Sequence, residues 1–251
     1  MELLVIADLE GMSSISRWEI CFPAHAEYSE ALAAYRAEVD AVAEAARAWG
    51  LGAVRILDWH QRLLPLDLFP EVMTPDELLL EQRPRVAVLL GFHARAGQRD
   101  AFASRTLMPG LQLFWEDREA GELALASRWL GELGIPLLLV TGDRGLTSEA
   151  EEWTDQTATV TVKRALAPDR AESLPLERAH RAIADALQRV LARRSWWWVY
   201  RPSSPIQVRL ELPDGSRSFC KASSMQELFE LLFQLAGSFG RFGLPLVNQR
   251  R

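Results

Sequence analysis

Three short apolar runs in this chain end on residues of metal-ligand type, and no other feature restricts the fold as much. Leu3-Leu4-Val5-Ile6-Ala7 leads into Asp8 and Glu10, Val54-Arg55-Ile56-Leu57 into Asp58 and His60, and Val86-Ala87-Val88-Leu89-Leu90 into Gly91 and His93. Runs of this length with little polar interruption fit strands buried on both faces, as in a parallel sheet sandwiched by helices. In an open sheet of that kind, ligands bind outside the carboxyl ends of the strands. Side chains delivered there from three strands converge even though they lie far apart along the chain.

The intervening segments carry helical signals. Tyr28, Leu32, Tyr35, Val39, Val42 and Ala46 are spaced for an amphipathic helix over residues 28–49, stopped by Gly50 and Gly52. Thr74-Pro75-Asp76-Glu77 opens a shorter helix over 75–82. Residues 94–105 are polar, rich in arginine and aperiodic, which reads as an active-site loop. Residues 106–116 read as strand-like, turning through Asp117-Arg118-Glu119 into a helix over 121–133. A strand over 135–141, a helix over 147–153, a strand over 157–163 and a helix over 174–194 follow. Pro213-Asp214-Gly215-Ser216 joins 206–212 and 217–222 as a hairpin, and a helix over 224–236 comes next. The expected fold class is α/β: a largely parallel sheet covered by helices on both faces, with a C-terminal β-hairpin plus helix lobe. Residues 1–200 are expected to form the metal-site domain, and residues 201–251 a β-β-α extension or small lobe.

Bulk properties narrow the partners. A net charge of −6 argues against general nucleic-acid binding, which requires basic surface. No apolar run reaches the ~18 residues of a membrane span. Glu2, Asp8 and Glu10 interrupt the N-terminal apolar stretch, so it does not read as a signal peptide. Cys21 and Cys220 are too few for a disulfide framework. A cytoplasmic protein is the expectation.

Asp8, Glu10, His60 and His93 are the candidate metal ligands, joined by Glu122 at the start of the helix after the turn. Taken singly, each has an ordinary explanation: a solvent-facing Asp-x-Glu, a core histidine, a first-turn carboxylate satisfying a helix dipole. Their joint placement at one end of successive strands favours the metal reading. His25 and His180 read as bystanders, and Trp196-Trp197-Trp198 as packing or subunit contact. A mixed His, Asp and Glu set suits zinc or manganese. Five ligands exceed one tetrahedral site and suit two divalent ions about 3.5–4 Å apart, with a bridging carboxylate and a bridging hydroxide that attacks a carbonyl. No Gly-x-Ser-x-Gly elbow, Gly-x-Gly-x-x-Gly fingerprint or P-loop supports a serine-hydrolase or nucleotide alternative.

These residues resemble the zinc D-aminopeptidases of the bacterial dipeptide-transport type. Asp8-Leu9-Glu10-Gly11 is similar to that family's Asp-x-Glu-Gly opening, and Asp58-Trp59-His60 to its Asp-Ser-His segment. Gly91-Phe92-His93-Ala94-Arg95-Ala96 is similar to its Gly-Tyr-His-Ala-Arg-Ala signature. Asp117-Arg118 with Gly121-Glu122-Leu123 resembles its Asp-Arg-x-x-Gly-Glu-Leu helix start. Val140-Thr141-Gly142-Asp143 and Val162-Lys163 match further along.

The resemblance implies that Asp8 bridges two zinc ions, that Glu10 and His60 complete one site, and that His93 and Glu122 complete the other. It also implies cleavage of N-terminal D-residues from short peptides within a ring-shaped homo-oligomer. Arg105, however, falls where the family carries a catalytic histidine. A guanidinium can stabilise an oxyanion but cannot shuttle a proton. Trp59 replaces a small polar residue, and the last hairpin is shorter than in the family. The expectation is a metal-dependent hydrolase of an amide or peptide bond, with Arg105 as the catalytic candidate. Two alternatives stand beside it. One is a catalytically altered or inactive metal-binding member. The other is an amidohydrolase whose small acidic substrate pairs with Arg95, Arg99 or Arg105.

Overall fold

The computed structural model describes residues 1–59 and 84–237; His60 and the helix expected over 75–82 lie outside the described residues. The apolar runs form the strands β1 (Leu3–Ala7), β2 (Val54–Asp58) and β3 (Val86–Phe92), joined in one sheet by β6 (Leu137–Asp143), β7 (Ala158–Ala167) and β8 (Arg170–Ser173). The strand order is β2-β1-β3-β6-β7-β8, parallel except that β8 runs antiparallel to β7 at the edge. Every residue of β1, β3 and β6 is buried, which explains why these strands read as unbroken apolar runs rather than alternating ones.

Helices α1 (Tyr28–Ala48) and α4 (Leu176–Leu191) cover one face. Tyr35, Val39 and Val42 of α1 and Ile183 and Leu187 of α4 pack there against Val5, Val88 and Leu90. The other face buries Leu4, Ile6 and Leu89 under helix α2 (Glu122–Glu132), helix α3 (Arg144–Trp153) and a second sheet. That sheet is antiparallel, ordered β10-β9-β4-β5, from β4 (Gln112–Trp115), β5 (Arg118–Ala120), β9 (Ile206–Glu211) and β10 (Arg217–Ala222). Helix α5 (Met225–Gly237) follows it and places Leu228 and Phe229 in the same core. Burying such large side chains on both faces, at about 1.5–3 kcal/mol each, holds the central strands flat against their helices.

Several details depart from the expected elements. The segment 106–116 is a strand only from Gln112 onward, and Glu116 and Asp117, both in the left-handed region, form a two-residue turn into β5. Two consecutive positive φ values are those of a type I′ hairpin turn. Arg118 and Glu119 are therefore paired strand residues rather than turn residues. The strand expected over 157–163 runs on to Ala167 and folds back as β8. Because β9 pairs with β4, the boundary expected near residue 200 falls between segments that share a sheet. Among the described residues no helix is long and apolar enough to cross a membrane.

Two glycines set how closely the chain approaches itself at the carboxyl end of the large sheet. Gly91 has φ +68° beside a register shift in β3, and its missing side chain makes room for the Asp8 carbonyl and the Met12 side chain. Gly11 lies directly on the Gly91–Phe92 backbone, with its N–H donating to the Gly91 carbonyl at 2.7 Å. A Cβ at position 11 has backbone atoms in its place, and backbone does not give way. Gly11→Ala is therefore expected to cost at least about 2 kcal/mol of stability in urea unfolding; a near-neutral result would contradict this packing.

Candidate active site

Pairing register is what gathers the candidate residues. Ala7 stands opposite Asp58 on one side and Leu90 on the other, so β1, β2 and β3 end at one level. The Asp8 N–H donates to the Leu90 carbonyl at 2.9 Å, and the Trp59 N–H donates to the Ala7 carbonyl at 2.8 Å. The turn after β1 is also held from below. Buried Lys163, on β7, donates through Nζ to the carbonyls of Glu10 at 2.7 Å and Ile15 at 2.5 Å. Burial lowers the Lys163 pKa to about 8.

Asp8, Glu10, His93 and Glu122 are all buried at this level. His93 Nδ1 is 3.0 Å from the Ala94 carbonyl, which makes Nδ1 the protonated nitrogen and turns Nε2 inward. Nε2 faces Glu122 Oε1 at 3.3 Å and Asp8 Oδ2 at 3.6 Å, off the line of a hydrogen bond to either. Burial and Arg105 press the His93 pKa down, but Glu122 and Asp8 outweigh them and hold it at about 9. Burial favours the neutral form of Glu122, yet His93, Arg105 and the Trp59 indole bring its pKa to about 2. These carboxylates favour a positive charge at the imidazole.

The donor set and its spacing fit a zinc-like ion. Ligands about 2.0–2.2 Å from a tetrahedral zinc stand roughly 3.3–3.6 Å from one another. The two separations at His93 Nε2 match that edge length. Among the described residues, no group of three or more His, Cys, Asp and Glu is gathered closely enough to hold an ion by itself. The fifth expected ligand, His60, lies outside the described residues, so its expected role is neither met nor contradicted.

Arg105 is part of the same cluster. Its guanidinium donates to Glu10 Oε1 at 2.5 Å and to the Ala103 carbonyl at 3.4 Å, and its backbone N–H donates to the Ala94 carbonyl at 3.1 Å. Glu10 leads the carboxylates that keep it protonated despite burial. Ala103 and Leu107, two residues to either side, both have positive φ, 53° and 59°. Non-glycine residues there carry strain of about 1–3 kcal/mol each, sustained by the surrounding contacts. The Ala103 N–H is held by the Pro168 carbonyl at 2.7 Å, and the Leu107 N–H donates to Glu122 Oε1 at 3.0 Å. The arginine-rich segment 94–105 is thus a pinned loop that aims one guanidinium inward. Arg95 instead pairs with Glu119 at 2.7 Å, and Arg99 is exposed.

Some contributors were not visible from residue type. Trp59 Nε1 donates to Glu122 Oε2 at 2.5 Å, and its ring packs against Phe92 and Phe229. Asp143 caps α3 through the Leu146 N–H at 2.7 Å while accepting the Phe102 N–H at 2.5 Å, anchoring the loop. Glu149, on α3, accepts the Arg95 N–H at 2.7 Å through Oε2. Only the Asp-Arg-Gly-Leu start of α3 carried a sequence signal, that of an N-cap. Of the two bystander histidines, His25 Nδ1 accepts the Glu27 N–H and His180 Nε2 lies 3.9 Å from Glu38.

Glu149 yields a pH prediction. It is fully buried, its Oε1 has no hydrogen-bond partner, and burial pushes its pKa from 4.5 up to about 7. A raised carboxyl pKa contributes stability that is complete below 4.5 and is lost as pH rises to about 7. Glu149→Gln, which cannot ionise, is expected to match the parent near pH 4.5 and to exceed it by up to about 3 kcal/mol at pH 8. Equal stability of the two proteins at pH 8 would reject this account.

Comparison with known proteins points the same way. A curated D-aminopeptidase of Bacillus subtilis (strain 168) is 27% identical over 198 residues, 74% of this chain and 72% of that protein. Among solved structures, the chain superposes on "Zn-dependent D-aminopeptidase DppA from Bacillus subtilis, a self-compartmentalizing protease". The TM-score is 0.82 at 20% identity, covering 94% of this chain and 97% of that one, which establishes a shared fold. Residues 1–228 match the Peptidase M55 family, described as D-aminopeptidase, and the chain belongs to that family.

Proposed function

We propose that the protein is a metal-dependent hydrolase of aminopeptidase type, acting on the N-terminal amide or peptide bond of short substrates, D-residues among them. One observation carries the reading: His93 Nε2 points at Asp8 and Glu122 with the spacing of ligands around a zinc-like ion. The resemblance to zinc-dependent D-aminopeptidases supplies the metal and the substrate class. Asp8, His93 and Glu122 would hold one ion, and Asp8 with Glu10 and His60 are the expected holders of a second. A divalent ion there supplies a Lewis acid for the scissile carbonyl and lowers the pKa of a water.

The chain's own groups supply orientation. Trp59 and the Leu107 N–H occupy the two oxygens of Glu122 and fix its carboxylate. The Ala94 carbonyl sets the His93 tautomer. Arg105, protonated at every working pH, donates N–H groups towards charge that develops on the carbonyl oxygen, but accepts no proton. Glu10 is already engaged by Arg105 and cannot at the same time act as an unhindered base.

The protein is further proposed to assemble with copies of itself, as the structural relative's self-compartmentalizing description supports. An exposed phenylalanine on the antiparallel sheet supports the same reading: Phe219 is 77% exposed, opposite half-buried Arg209, whose guanidinium lies 3.8 Å from the Phe114 ring.

The test is turnover of a panel of D- and L-aminoacyl amides combined with elemental analysis. Chelation is expected to abolish turnover and zinc to restore it. His93→Ala is expected to lose at least about 10²-fold in kcat/KM. Undiminished hydrolysis by metal-free protein would defeat the proposal.

A further inference from the structure

The Asp8–Glu122 cluster holds three buried carboxylates, and buried carboxylates need compensating cations. Zinc-like ions are one source of that charge. Arg105 is another, and it is built into the chain. Its guanidinium lies 2.5 Å from Glu10 Oε1, an oxygen of the carboxylate expected to hold a first ion together with Asp8. An ion on Glu10 and this guanidinium would be like charges within a few ångströms, in a place that water scarcely reaches. The side chain has little freedom to withdraw. Its backbone N–H is tied to Ala94, its other terminal nitrogen is bonded to Ala103, and left-handed Ala103 and Leu107 bracket it. In the opposite half, His93 Nε2 faces Asp8 and Glu122.

We infer that the Arg105 guanidinium occupies one of the two cation positions of this pocket, so that the site takes a single divalent ion on the Asp8, His93 and Glu122 side. The guanidinium is then a permanent second positive charge beside Glu10. This inference rests on the metal-dependent reading above and replaces its two-ion form with one ion and one fixed organic cation.

Zinc stoichiometry, measured by equilibrium dialysis and elemental analysis of the full chain, tests it without reference to activity. The parent is expected to bind one zinc per chain, and Arg105→Lys, which keeps the charge, also one. Arg105→Ala, which empties the position, is expected to bind two, the second lost on adding Glu10→Gln. Two zinc ions per parent chain would overturn the inference and leave the metallohydrolase reading standing, and that result needs no variant to fold. One zinc in both parent and Arg105→Ala would also overturn it. No zinc in the parent would overturn both.

Discussion

The in-register parallel pairing of β1 with β2 and β3 is the constraint on which the rest of the site depends. Ala7 faces Asp58 and Leu90 across two ladders, so the chain leaves three strands at a common height. A one-residue slip in either ladder would turn the side chains of that strand to opposite faces and send Asp8 or His93 away from the others. Burial on both faces prevents such a slip, because Leu3, Val5 and Leu4, Ile6 are committed to different cores. The apolar packing therefore does two things at once. It stabilises the sheet, and it keeps ionisable groups together in a region where they would otherwise separate.

That dependence also explains what could be read in advance. Unbroken apolar runs revealed the central strands, and a 3.6-residue period revealed α1, whose observed span Tyr28–Ala48 differs by one residue from expectation. That Asp8, Glu10, His93 and Glu122 lie together was legible because strand ends and helix starts restrict where side chains point. The short strands β5 and β8 were not legible. Three or four residues give no period, and their polar composition, Arg118–Ala120 and Arg170–Ser173, resembles that of turns. The roles of Trp59 and Glu149 were hidden for a different reason. Each depends on a partner 54 or 63 positions away, Arg95 for Glu149 and Glu122 for Trp59, and nothing local in the sequence marks such pairs.

Arg105 shows the limit most clearly. Its identity was enough to exclude proton transfer at that position. Its orientation depended on the left-handed residues Ala103 and Leu107 and on anchors from Pro168 and Glu122, all set by the tertiary fold. A flexible loop of the same composition would have put the guanidinium in water, where a charge is cheaper to keep. Strained backbone on either side of a buried charge indicates that the surrounding contacts favour the inward position strongly enough to offset the strain.

The anchoring of Glu122 bears on which ion the proposed site would select. One carboxylate oxygen accepts the Trp59 indole and the other the Leu107 N–H, so the group cannot rotate to bind an ion through both oxygens. A carboxylate held in this way favours one-oxygen coordination. Calcium, which takes six to eight oxygen ligands and tolerates bidentate carboxylates, is poorly served by it. Magnesium seeks an octahedron of oxygens and gains little from an imidazole. An ion content with about four ligands, one of them nitrogen, is well served. The fixed indole, the imidazole whose tautomer is set by Ala94, and the nearby guanidinium thus act in one direction. Under the proposed metal reading, they favour an ion of low ligand number that accepts an imidazole, which is a zinc-like ion.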